Sequence, residues 1–62
     1  MLFRSIKYDG RLVMLDDGSR WEVDGYDAER HVRFWNLYDL ALVADGTMYN
    51  INDAETAEVT EE

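Results

Sequence analysis

One histidine, His31, two serines, Ser5 and Ser19, and fourteen carboxylates are the groups here that could do acid–base or nucleophilic chemistry. A nucleophilic triad needs a base within hydrogen-bond reach of an activated hydroxyl, and Ser19, His31 and Asp27 form the set to weigh. Ser19 falls in the turn Asp17-Gly18-Ser19, where a hydroxyl commonly bonds nearby backbone, and no G-x-S-x-G elbow presents it. Acid–base work by two carboxylates needs unlike environments, one of them dry enough to hold its proton. The pairs Asp16/Asp17, Glu22/Asp24 and Asp53/Glu55 fall in turns or on polar strand faces, so solvated charge is the expected reading. A calcium site would need oxygen ligands at a set spacing. The EF-hand spacing is absent, and Asn50-x-Asn52-Asp53-x-Glu55 reads equally as a weak cation site or an ordinary turn. With no cysteine there is neither a thiolate metal site nor a disulfide. The expectation is a non-enzyme with no catalytic, cofactor or metal site.

Charge is the stronger signal. Fourteen acids against six bases give a formal net charge of −8, and all six bases lie within the first 33 residues. From Phe34 onward come seven acids and no base: Asp39, Asp45, Asp53, Glu55, Glu58, Glu61 and Glu62. Such a surface repels phosphates and anionic membranes and attracts basic proteins. That argues against direct nucleic-acid or membrane binding. The N-terminal run carries charges rather than a continuous apolar stretch, so no signal peptide is expected. No segment is long and apolar enough to span a bilayer, and a soluble, cytoplasmic location is expected.

The elements that would hold these charges are short. Asp9-Gly10, Asp17-Gly18 and Asp45-Gly46, each flanked by apolar residues, read as hairpin turns and suggest an antiparallel meander. Strands are expected near Leu2–Tyr8 (with Leu2, Ile6 and Tyr8 on one face), Leu12–Leu15, Ser19–Asp24, His31–Trp35, Leu40–Ala44, Thr47–Ile51 and Glu55–Thr60. Asp27 is read as the cap of one helical turn through Ala28, Glu29 and Arg30. Val32 and Phe34 are expected to share a face, Leu40–Ala44 to be buried, Ala57 and Val59 to point inward, and Glu61-Glu62 to fray. Sixty-two residues allow a single domain, 1–62, that buries only about 60% of its unfolded surface. The fold class is therefore mainly β: a small antiparallel SH3-like barrel or rolled sheet of five to seven short strands with one helical turn. Trp21 and Phe34 are expected in its core, with Tyr8 as a third candidate. Some of Tyr26, Trp35, Tyr38 and Tyr49 must then reach the surface, either as contact residues or as the rim of a small core.

The run Leu15-x-Asp17-Gly18-Ser19-x-Trp21-Glu22-Val23, followed by Trp35, Asp39 and Asn50, resembles a group of small bacterial SH3-like β-barrel proteins with a DGS-x-W-E-V hairpin. That resemblance implies a fold and no reaction. Asn36-Leu37-Tyr38 departs from it, standing where a turn with proline or glycine is expected. By size and charge only, the chain is similar to phage anti-CRISPR proteins that imitate DNA.

These observations converge on an acidic, non-enzymatic protein-binding module. The expected function is inhibition by DNA mimicry, with the acidic face in the basic nucleic-acid groove of a target such as a CRISPR effector. Partner-binding candidates are Glu22, Asp24, Asp39, Asp45, Asp53, Glu55 and Glu58, with Tyr26, Tyr38 and Tyr49. The alternative is an SH3-like adaptor or a homo-oligomeric barrel whose acidity serves only solubility.

Overall fold

The turns come first in building this chain, and the computed structural model, which describes all 62 residues, places each Asp-Gly pair in one. Asp45 and Gly46 both take positive φ (53° and 77°), as a two-residue type I′ hairpin loop requires. Asp16, Asp17 and Gly18 form a three-residue loop closed by the Leu15 N–H to Ser19 carbonyl bond, with Gly18 at φ 89°. These loops connect β1 (Phe3–Lys7), β2 (Leu12–Leu15), β3 (Arg20–Val23), β4 (Ala41–Ala44), β5 (Thr47–Asn50) and β6 (Glu55–Glu61). The remaining elements are one short helix, α1 (Gly25–Arg30), and a 3-10 turn at Val32–Phe34.

All six strands are antiparallel and belong to one sheet of order β1-β2-β3-β6-β5-β4. The expected single meander is thus two three-stranded meanders, joined where β6 returns beside β3. The sheet rolls without closing into a barrel. Its two edges meet only at one end, through a Leu2–Leu40 bridge and backbone bonds from Ala41 N–H to Met1 and from Phe3 N–H to Asp39.

Eleven residues form the core inside the roll, among them Phe3, Val13, Leu15, Val23, Met48 and Val59. Ala57 and Val59 point inward as expected. In β1 the alternation of faces fails. A bulge between Phe3 and Ser5 shifts the side-chain parity, so Phe3 is buried and Ile6 packs on the same core. Tyr8 lies beyond the end of that strand at φ 54° and is 73% exposed, not a core residue.

The segment His31–Trp35 is not a strand: Val32–Phe34 form the 3-10 turn, and Trp35 leaves it with extended backbone. Ala28, Val32 and Trp35 are buried at spacings of four and three residues, which is a helical period. Phe34 consequently points outward, 65% exposed, under the Arg33 guanidinium. Trp35, expected among the surface aromatics, instead fills the core position expected of Phe34, with its ring centroid 5.2 Å from that of Phe3. Trp21 is half-buried against the same cluster. The helix begins earlier than expected because Asp24, not Asp27, caps it: one carboxylate oxygen accepts from the N–H groups of Tyr26 and Asp27.

Two further expectations are corrected. β4 is an edge strand with Leu42 and Ala44 exposed, so only part of it is buried. The C-terminus is tied down: Glu61 continues β6, Glu62 N–H donates to the Arg20 carbonyl, and its carboxylate pairs with Arg20 Nε at 3.2 Å.

Glycines 10 and 18 both take φ near +90°, yet only one is packed. A Cβ on Gly10 would lie 2.6 Å from Arg33 N and 3.0 Å from the Ala28 carbonyl, whereas one on Gly18 would meet open space. Gly10→Ala is therefore expected to destabilise by more than about 1 kcal/mol in urea unfolding, and by clearly more than Gly18→Ala. Equal losses would show that the backbone approach at Gly10 contributes nothing.

Candidate functional site

Because β3 and β6 pair with Glu22 opposite Thr60, side chains of both strands that point away from the core share one outer surface. Asp24 N–H donates to the Glu58 carbonyl, which sets those two acids side by side at the next position along the ladder. Thr47 lies opposite Glu58 on β5, and the Asp45-Gly46 loop closes the far end. The result is an open groove of about 630 Å³ walled by Glu22, Asp24, Asp45 and Glu58. Arg11 is the only base on its wall, with its guanidinium against Gly25. Of the six Lys and Arg side chains, only Arg20 is ion-paired, and its partner is Glu62. None of the four groove carboxylates is ion-paired.

The other expected contact residues lie elsewhere. Asp39 and Asp53 face the fully buried Asn50, whose amide nitrogen stands 3.4 and 3.5 Å from their carboxylate oxygens. Asn50 Oδ1 also accepts from the Asp53 N–H at 3.1 Å, so this group fixes the β5–β6 turn. Glu55 accepts from the Trp35 indole N–H at 2.8 Å and meets His31 Nδ1 at 3.0 Å. Tyr26 sits on α1 with the Arg30 guanidinium over its ring, and Tyr38 is exposed at φ 70° before β4. Tyr49 points outward from β5 opposite Leu42. None of the three tyrosines lines the groove.

The residues weighed for catalysis have separate partners. Ser19 donates its hydroxyl proton to Asp17 and accepts from the Trp21 indole N–H, at 2.6 and 2.8 Å. His31 meets Glu55, and Asp27 accepts from the Glu58 N–H at 2.9 Å. The Ser19 hydroxyl and amide hold the Asp17 carboxyl below the ordinary aspartate value. No cluster of three or more His, Cys, Asp or Glu groups is arranged to hold a metal ion, and no helix is long and apolar enough to cross a membrane.

Sequence reasoning missed Arg11 and the outward-facing Thr47 and Thr60 as parts of the groove. Their places follow from the β3–β6 pairing, which no local pattern announces. It also missed Leu40, Leu42 and Ile51 as exposed apolar residues. Their even spacing about Asp45-Gly46 was the available signal. No family model, curated protein or solved structure matches the chain, so the groove is read from its own geometry.

The Glu55 linkage has a measurable consequence. The Trp35 indole bond is the main cause of its lowered pKa; desolvation opposes it and His31 adds to it, leaving the carboxyl below its ordinary value of 4.5. Its ionised form therefore stabilises the fold fully above about that pH, and the contribution fades as pH falls through the lower folded value. Glu55→Gln keeps an oxygen for Trp35 but loses the charge. The variant is expected to be less stable than the parent at pH 7, with the gap closing in urea titrations below pH 4. A gap that stays constant down to pH 3 would contradict the assignment.

Proposed function

We propose that this protein is a non-enzymatic inhibitor that presents its acidic groove to the nucleic-acid-binding surface of a basic target, such as a CRISPR effector, in place of DNA. The observation that carries this reading is the set Glu22, Asp24, Asp45 and Glu58, gathered from three elements into one groove without ion-pair partners. Glu22 on β3 and Asp24, the helix cap just past its end, are alternate residues, and alternate residues of extended chain lie about 6.6–6.8 Å apart, similar to successive phosphates on one strand of nucleic acid. A cleft lined with Lys and Arg would meet these carboxylates as it meets phosphates, releasing the small anions it holds. The short, paired strands beneath them keep the spacing rigid, so little conformational entropy is lost on docking. Asp39, Asp53 and Glu55, whose carboxylates are engaged by Asn50 and Trp35, contribute to the net charge and to steering rather than to the contact itself.

Competition with double-stranded DNA for a purified CRISPR effector tests the reading. Displacement of DNA is expected, weakening as salt is raised. A Glu22→Gln, Asp45→Asn, Glu58→Gln triple variant, which leaves the helix cap Asp24 intact, is expected to lose at least about tenfold in potency. Full DNA binding at saturating concentrations of the protein would count against the proposal.

A further inference from the structure

The outer surface that carries the acidic groove continues past Thr47. Alternate residues of a strand share a face, so Tyr49 of β5 lies on the same side as Thr47, about 6.6–6.8 Å further along. Tyr49 faces Leu42 across the β4–β5 ladder, and the next outward pair is Leu40 with Ile51, whose N–H donates to the Leu40 carbonyl. These four apolar side chains form one block, with Leu40, Leu42 and Ile51 each at least half exposed. Glu58 stands opposite Thr47 on β6, which makes it a diagonal neighbour of Tyr49, about 7–8 Å away. Acidic and apolar surface thus adjoin on one face of the sheet.

Backbone chemistry narrows what can cover such a face. β5 is paired on both sides, with β4 and with β6, so its N–H and C=O groups are used within the sheet. An occupant lying on the face therefore meets side chains only and must satisfy its own backbone polar groups, which a helix does within one segment. The width suits one helix. β4 and β6 are two ladder spacings apart, roughly 9.6 Å, and a helix with its side chains is about 10–12 Å across. We propose that the apolar block and the groove together seat an amphipathic basic helix of the target protein. Its apolar stripe lies on Leu42, Tyr49 and Ile51, and its Lys and Arg side chains reach Glu22, Asp45 and Glu58.

Charge selects this occupant over the others. β4, β5 and β6 carry no base, so the charges bordering the apolar block are acids. A second copy laid face to face would set acid against acid, and an anionic bilayer is repelled by a net charge of −8. A helix with Lys and Arg along one flank of an apolar stripe matches both parts of the face at once. The inference rests on the reading of the groove as the seat of a basic protein, and adds that the seat is shaped for a helix and held by apolar burial as well as charge. Salt screens the charge pairs and leaves the apolar burial in place, so part of the affinity must resist it.

Fluorescence anisotropy tests the seat, using the full chain and two labelled Leu/Lys peptides of about 18 residues, one ordered as an amphipathic helix and one with the same residues scrambled. The ordered peptide is expected to bind at least about tenfold tighter and to keep part of that advantage at high salt. A Leu42→Gln, Ile51→Gln variant, its fold checked by circular dichroism, is expected to remove the advantage and leave the scrambled peptide's binding unchanged. Glu22→Gln, Asp45→Asn, Glu58→Gln is expected to weaken both peptides. Equal binding of the two peptides by the parent chain, or an advantage that survives the Leu42 and Ile51 changes, overturns the proposal. If those two residues instead control dimerisation in sedimentation equilibrium, or binding to phosphatidylcholine vesicles, the proposal is overturned in favour of a second copy or a bilayer. If the ordered peptide binds as expected while DNA stays on the CRISPR effector, the helix seat stands and the DNA-mimic reading falls.

Discussion

Val23 and Val59 face each other across the β3–β6 ladder, the main pairing between the two halves of this protein. Each half, β1-β2-β3 or β4-β5-β6, is a three-stranded meander with an apolar side it cannot cover alone. Pairing β3 with β6 makes one sheet long enough to roll, and rolling brings Phe3 and Val13 into the same core as Met48 and Ala57. The helix and the 3-10 turn then close the open side with three plugs: Ala28, Val32 and Trp35. On the other surface the same pairing sets Glu22 and Asp24 beside Glu58. Core and groove are two faces of one seam.

The carboxylates divide by what they touch. Asp24 caps the helix, Asp27 receives the Glu58 amide, Asp39 and Asp53 face Asn50, and Glu55 anchors Trp35. Asp17 organises the second hairpin, through a relay in which Trp21 donates to Ser19 and Ser19 donates to Asp17. A chain this short has few apolar residues to spend on its turns, and these charge-assisted bonds fix turn geometry without enlarging the core. Glu22, Asp45 and Glu58 perform no such duty through their side chains. Their conjunction in one groove is therefore a surface property, and Asp24 alone belongs to both sets, as helix cap and groove acid.

Much of this was legible in the residues. Each Asp-Gly pair marked a hairpin because positive φ is inexpensive there, and the inward set Val23, Ala57 and Val59 followed from strand alternation. Val32 and Phe34 misled because two apolar residues spaced by two satisfy a strand template, while the longer spacing Ala28, Val32, Trp35 carried the true period. The bulge after Phe3 reversed the parity of β1, and a bulge has no dependable local signature. Above all, nothing within β3 or β6 declares that they are neighbours, since their contact spans the whole second half of the chain. The groove could not be drawn before that pairing was known, although all four of its acids were already among the candidates.

The most direct test of the account is therefore of the seam. In a 13C- and 15N-labelled sample, nuclear Overhauser contacts between α-protons report non-hydrogen-bonded antiparallel pairs, whose Cα atoms lie about 4.5 Å apart. Strong α-proton contacts are expected between Val23 and Val59 and between Trp21 and Glu61. If β6 instead contacts only β5, or shows its α-protons against a strand other than β3, the halves are assembled differently. Glu58 would then stand away from Glu22 and Asp24, and the groove would not exist.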